Sequence, residues 1–126
     1  MTTKMIQQYI YERDAWYRLL DYLEEENILY KNRIAIILKS DTDSLLVETI
    51  ESFLNKFILH DAIISLFRHD IAKANEKMAA KVIDEEKENY DEIMLTQNKL
   101  RGEIEIIERQ FNSLKFEFNK YLSKVS

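Results

Sequence analysis

The strongest constraint on this chain is the near absence of turn-forming residues: it contains no proline, and Gly102 is its single glycine. Hairpins, tight turns and phosphate-binding loops use these two residues for backbone conformations that other residues adopt poorly. Folds rich in turns, and glycine-rich nucleotide motifs, are therefore excluded. The 126 residues are 46% hydrophobic and 33% charged, which is typical of helix-rich chains with one core. We predict an all-α fold.

Apolar residues recur in alternating steps of three and four, the spacing of one face of a helix. The pattern runs through three stretches, and its phase resets in the charged segment 84–89. The predicted inward positions are Ile6, Tyr9, Arg13, Trp16, Leu20, Leu23, Asn27, Tyr30, Ile34 and Ile37 in the first stretch, Leu46, Ile50, Phe53, Phe57, His60, Ile64, Phe67, Ile71, Ala74 and Met78 in the second, and Tyr90, Ile93, Gln97, Leu100, Ile104, Ile107, Phe111, Leu114, Phe118, Tyr121 and Val125 in the third.

These stretches predict helices over about 3–39, 44–83 and 90–124. The first two are separated by a polar segment in which Thr42, Asp43 or Ser44 can cap the second helix. The reset at 84–89 is compatible with a turn or with a stutter in one continuous helix. We favour the turn, because one helix of about 80 residues would leave its apolar face unburied.

The whole chain, 1–126, is therefore predicted to be a single helical domain: an antiparallel, up-down-up three-helix bundle with long heptad-patterned, coiled-coil-like helices. An up-down-up path aligns the inward positions into layers across the three helices. One predicted layer joins Leu23, His60 and Phe111.

Asn27 and His60 fall in adjacent layers of this alignment. A buried hydrogen bond between the amide and the imidazole would satisfy both groups and fix the helix register. The alternative is that His60 acts as a ligand-binding or pH-sensitive group.

Arg13, Tyr9 and Gln97 cluster in the layers nearest the second connection. A buried guanidinium needs acceptors or a bound anion, because an unpaired buried charge is strongly destabilising. One outcome is that Arg13 extends past the core edge to pair with Glu12, Asp91 or Glu103. The other is a small polar pocket, formed by Tyr9, Arg13 and Gln97, that holds an anionic ligand.

The sequence has no recognisable catalytic or cofactor motif. The pairs His60-Asp61 and His69-Asp70 resemble metal signatures, but residues nine apart on a helix point to opposite faces. No Glu-x-x-His motif of di-metal bundles occurs, and there is no cysteine. We predict no catalytic residue, no metal, no cofactor and no enzymatic activity.

The formal charge of −5 and pI near 5.1 argue against nucleic-acid binding, which depends on clustered Lys and Arg. No apolar run reaches the roughly 18 residues of a membrane span, and no signal peptide is visible. We therefore expect a cytoplasmic protein without a membrane partner.

A second apolar stripe lies outside the predicted core on the first two helices. The candidate interface residues are Leu19, Tyr22, Leu29, Ile36, Leu59, Ile63 and Leu66. Contiguous exposed apolar surface usually marks an association site, so the stripe predicts a homodimer, with a further protein partner as another use of these surfaces. The alternative is that the helices rotate and part of the stripe joins a wider core.

Two functional hypotheses follow. The first is a non-enzymatic structural or protein–protein interaction module that self-associates through the outer faces of helices 1 and 2. The second is a small-ligand-binding or regulatory bundle that uses the pocket around Arg13, Tyr9 and Gln97.

Overall fold

The computed structural model describes residues 3–84 and 87–125, which form three α-helices and no strand. They are α1 (Thr3–Ser40), α2 (Ser44–Asp84) and α3 (Lys87–Val125), with 38, 41 and 39 residues. At a rise of about 1.5 Å per residue, each helix is roughly 60 Å long. Nearly equal lengths allow the three helices to pack side by side along most of the bundle.

The first connection is short and is closed by side-chain caps. Asp43 Oδ1 accepts hydrogen bonds from the backbone amides of Leu45 at 3.0 Å and Leu46 at 3.2 Å. These amides have no partner within the helix, so Asp43 is the N-cap of α2. Of the three residues predicted as possible caps, Asp43 is the one that caps α2.

Helix α3 runs back along α2, which excludes one continuous helix through 84–89. Lys81 of α2 forms an ion pair with Glu92 of α3, a contact that residues eleven apart on one straight helix cannot make. Residues 85 and 86 of the predicted turn lie outside the described residues. Helix α3 begins at Lys87, three residues before the predicted start, because the apolar pattern carries no signal in a charged first turn.

The core confirms the predicted inward face. Every fully buried residue of the described ranges, from Arg13 in α1 to Phe118 in α3, occupies a predicted inward position. Ring contacts join these positions: the centroids of His60 and Phe111, which share a predicted layer, are 5.3 Å apart, and those of the inward residues Trp16 and Phe67 are 6.4 Å apart. The antiparallel three-helix bundle is therefore confirmed.

The two ends of the bundle have different interiors. Near the first connection, aromatic side chains from all three helices pack together, including Tyr30, Phe53 and Phe118 with centroid distances of 5.2 to 5.7 Å. Near the second connection, the interior contains Arg13 and Gln97, both buried. No helix in the described part of the chain combines the length and apolar character that a membrane span requires.

Candidate functional site

The most unusual feature of the interior is a fully buried arginine. Arg13 is 1% exposed and lies on the face of α1 that packs into the core. Its Nε donates to Gln97 Oε1 of α3 at 2.7 Å, and its Nη1 donates to Asn75 Oδ1 of α2 at 2.8 Å. One side chain from each helix thus meets at this point, and both acceptors are neutral amides.

A second set of hydrogen bonds extends this contact towards the α1–α3 edge. Gln97 Nε2 donates to Glu12 Oε1 at 2.7 Å and, at 3.4 Å, to the backbone carbonyl of Tyr9. Glu12 also receives two bonds from Arg101, from Nε at 2.8 Å and from Nη2 at 2.7 Å. We call Arg13, Asn75, Gln97, Glu12 and Arg101 the polar cluster.

The electrostatics of the polar cluster leave an excess positive charge. Burial lowers the pKa of Arg13 below that of a free arginine, although a guanidinium stays protonated at neutral pH. The hydrogen bonds from Arg101 lower the pKa of Glu12 against the opposing effect of burial, and the same contact raises the pKa of Arg101. Glu12 is thus ionised and paired with Arg101, while Arg13 has no carboxylate of its own.

A groove of about 360 Å³ opens between α1 and α2 beside Arg13. Arg13, Asn75 and Asp14 are its polar lining residues. The apolar lining residues are Ile6, Ile10, Met78, Ala79 and Val82. Its volume falls within the range of small-molecule sites, which combine apolar walls with a few polar groups.

The structure brings together the predicted pocket residues but corrects the predicted pairing of Arg13. Arg13 does not extend past the core edge; among the described carboxylates, none forms an ion pair with it, and Glu12 pairs with Arg101 instead. The physical reason is that Gln97 and Asn75 both offer neutral acceptors inside the bundle, so the guanidinium is hydrogen-bonded without leaving the core. Tyr9 contributes its backbone carbonyl, and its side chain is half-buried.

No protein-family model, curated protein or solved structure matches the chain. Within the described ranges, no three His, Cys, Asp or Glu residues are placed to hold a metal ion together.

The predicted pair Asn27 and His60 is buried, but the hydrogen bond between them is not formed. Asn27 Nδ2 donates instead to the backbone carbonyl of Phe57 at 2.9 Å and to Asp61 Oδ1, and Lys31 Nζ lies 2.5 Å from Asp61 Oδ2. The reason is geometric: the backbone carbonyl of Phe57 and the side chain of Asp61, both on α2, are within reach of the Asn27 amide. Asn27 Oδ1 and His60 Nδ1 are both buried without a hydrogen-bond partner.

The predicted interface residues divide into two separate surfaces. Leu59 and Leu66 of α2 are 59% and 64% exposed, and Ile63 and Leu66 line a groove with Ile106 of α3. On the other side of α3, the ring of Tyr22 lies 5.6 Å from Lys115 Nζ. Ile106 and Lys115 are nine residues apart and lie on opposite sides of α3, so α3 separates the two stripes.

The remaining interface residues show both predicted behaviours. Leu29 and Ile36 of α1 are exposed, as Tyr22 is. Leu19 and Ile63 are half-buried and pack against the core. For these two residues, the alternative that part of the stripe joins a wider core applies.

Sequence reasoning missed Asn75, Arg101 and Asp61. Each of them directly follows an inward position, Ala74, Leu100 or His60. A residue at that position can reach a neighbouring helix at the edge of the core. The available signal was therefore a polar residue directly after an inward position in, or adjacent to, the layers of Arg13 and Asn27.

Proposed function

We propose that the chain is a non-enzymatic helical interaction module that forms a homodimer through one edge of the bundle. The proposed contact is an apolar patch consisting of Leu59, Ile63 and Leu66 of α2 with Ile106 of α3. The observation that carries the proposal is the exposure of Leu59 and Leu66, at 59% and 64%, beside an apolar groove. Water-exposed leucines grouped in this way are typical of association surfaces.

A second copy of the chain fits the patch because the surrounding charges are self-complementary. If the α2 helices of two copies pack antiparallel about Ile63, Leu59 of each copy faces Leu66 of the other, as a two-fold interface requires. Lys56 and Asp70 lie seven residues on either side of Ile63. The same pairing places each Lys56 opposite Asp70 of the second copy, an attraction at the rim.

Solution mass is the first test of the dimer. The wild type is expected at twice the 15.1 kDa of one chain by sedimentation equilibrium, and Leu66→Glu at the monomer mass, because a carboxylate would be buried without a partner. Leu95→Glu is the matched control: Leu95 is 69% exposed on α3, outside the patch. A concentration-independent monomer for the wild type contradicts the proposal.

Charge exchange tests the pairing geometry. Lys56→Glu should weaken the dimer by placing like charges opposite each other, and Asp70→Lys added to it should restore the affinity. Restoration in the double variant is specific to an antiparallel α2 contact. If Asp70→Lys alone weakens the dimer as much as Lys56→Glu does, and the double variant restores nothing, this register is ruled out.

The exposed apolar residues of α1, which are Tyr22, Leu29 and Ile36, form the α1 stripe and are tested separately. Leu29→Glu changes a residue that is 62% exposed and that α3 separates from the patch. If the outer faces of both α1 and α2 contribute, as the sequence predicts, this variant also dissociates the dimer. If the α2–α3 patch alone forms the contact, the dimer persists.

A second candidate function is the binding of a small ligand at Arg13, in a groove that Tyr9 and Gln97 of the predicted pocket do not line. The specific observation in its favour is that the buried cation Arg13 lines an open groove. Ligands that bind the folded state raise its melting temperature. An anion that stabilises the wild type but not Arg13→Ala would support this function over a purely structural one.

We propose a cytoplasmic location with no nucleic-acid or membrane partner, supported by the absence of cysteine and the net charge of −5. A further protein partner remains part of the proposal, with the exposed α1 stripe as its surface.

A further inference from the structure

We infer that the groove between α1 and α2 binds a medium-chain aliphatic carboxylate, with its head group at Arg13 and its chain along the apolar walls. This inference rests on the second candidate function and names its ligand class. It is independent of the dimer, because the groove lies on the α1–α2 edge and the apolar patch on the α2–α3 edge.

The walls of the groove select a ligand with a substantial apolar part. Its aliphatic residues are Ile6 and Ile10 on α1, and Met78, Ala79 and Val82 on α2. Ile10 is 44% exposed, so occupation of the groove would remove its surface from water. Burial of apolar surface favours binding in proportion to the area covered. A small hydrophilic anion would leave the apolar surface of these walls in contact with water.

The head group is selected by charge. Arg13 is the buried cation whose hydrogen bonds go to neutral amides, and Glu12 is already paired with Arg101. Because Arg13 is 1% exposed, an anion in the groove would take the place of Asn75 Oδ1 at Nη1 and so neutralise the excess charge of the polar cluster. Asp14 also lines the groove, but it is exposed, and the field of an exposed charge is screened by water far more than that of a buried one.

The length of the groove sets the length of the chain. Its α1 wall runs from Ile6 to Asp14, which is about 12 Å at the helical rise per residue. A zigzag chain of carbon–carbon bonds near 1.5 Å covers this distance with about ten carbons. Decanoate is therefore the matched probe.

The binding experiment compares three probes on the wild-type chain. Decanoate supplies head group and chain, acetate supplies the head group alone, and decyltrimethylammonium supplies a chain with the opposite charge. Trp16 is the single tryptophan and lies one helical turn from Arg13, so its fluorescence reports on the site. We expect saturable 1:1 binding of decanoate and much weaker binding of the other two.

Exposed residues of the groove provide variants that leave the core intact. Ile10→Glu should weaken decanoate binding by about tenfold or more, since it replaces apolar wall with like charge. Ile28→Glu is the control, because Ile28 is 45% exposed on the same helix but lines a different groove. Asp14→Asn should tighten binding by roughly twofold to fivefold through loss of repulsion.

A third variant, Arg13→Met, should abolish the preference for decanoate over decyltrimethylammonium if circular dichroism shows that it folds. If it does not fold, Ile10→Glu and Asp14→Asn still decide the question. Decanoate binding no tighter than acetate, or unchanged by both exposed variants, overturns the inference. If a hydrophilic anion binds through Arg13 while decanoate does not, the ligand class is wrong but the second candidate function stands.

Discussion

At the scale of single residues, Arg13 shows how a buried charge is tolerated without a counter-ion. Its desolvation is opposed by two short hydrogen bonds to side-chain amides, and bonds from charged donors are stronger than neutral ones. Because each acceptor comes from a different helix, the polar cluster also fixes the relative positions of all three helices.

Asn75→Ala tests the contribution of one acceptor. Removal of Asn75 Oδ1 leaves an Arg13 N–H without its partner, so the free energy of unfolding should fall by about 1–3 kcal/mol. Urea denaturation measures the change. Asn112→Ala, at an exposed position on α3, serves as the control and should change stability by less than about 0.5 kcal/mol. Equal stability of the two variants would show that the Arg13 contact contributes nothing.

His60 should make the stability of the fold depend on pH. Burial lowers its pKa below the ordinary value of 6.5. The unfolded chain therefore binds a proton before the folded chain does, and stability should fall as the pH drops below about 6.5. His60→Leu should remove this dependence between about pH 7.5 and 5.5, measured by urea denaturation at each pH.

This pH range separates His60 from the carboxylates. The pKa values of Glu12 and Glu26 are lowered from 4.5 by hydrogen bonds from Arg101 and Lys115. Their contribution to stability is present above that value and is lost at more acidic pH. If His60→Leu keeps the wild-type slope near neutral pH, another group is responsible.

At the scale of the helices, α3 contains a glycine in its interior, where glycine is unfavourable. Gly102 lies within α3 and is exposed, and a methyl group built there meets no atom within 4 Å. Glycine destabilises a helix interior because it loses more backbone conformational entropy on folding than other residues do. The monomer fold therefore gives no packing reason for this glycine.

Gly102→Ala should accordingly stabilise the chain by about 0.5–1 kcal/mol. Thermal or urea unfolding checks the sign, and sedimentation of the same variant checks the dimer. A gain in stability with unchanged association is expected. Destabilisation, or loss of association, would instead indicate that another chain approaches Gly102 closely.

At the scale of the whole molecule, the bundle places its two candidate surfaces on different edges. The groove beside Arg13 lies between α1 and α2, and the apolar patch lies between α2 and α3. Helix α2 forms one wall of each. A dimer through the patch therefore leaves the groove open, and a bound carboxylate leaves the patch exposed, so failure of either proposal does not affect the other.

Much of the fold was predictable because the local spacing of apolar residues indicates both where a helix forms and which of its faces is buried. Steps of three and four identified the inward face of all three helices, and every buried residue of the described ranges is among the predicted positions, although Val125 at the end of α3 is 46% exposed. Local spacing does not distinguish a turn at 84–89 from a stutter, because a phase reset has the same pattern in both. The contact of Lys81 with Glu92, which joins two helices, decides it.

The sequence by itself determined the helices, the inward face and the presence of polar residues in the core. The tertiary structure alone decided the partners of those polar residues: Arg13 with Asn75 and Gln97, and Asn27 with Phe57 and Asp61. It also decided that α3 separates the two apolar stripes. The physical reason is that periodicity gives the direction of a side chain around its own helix, whereas a hydrogen bond depends on the rotation and height of the neighbouring helix.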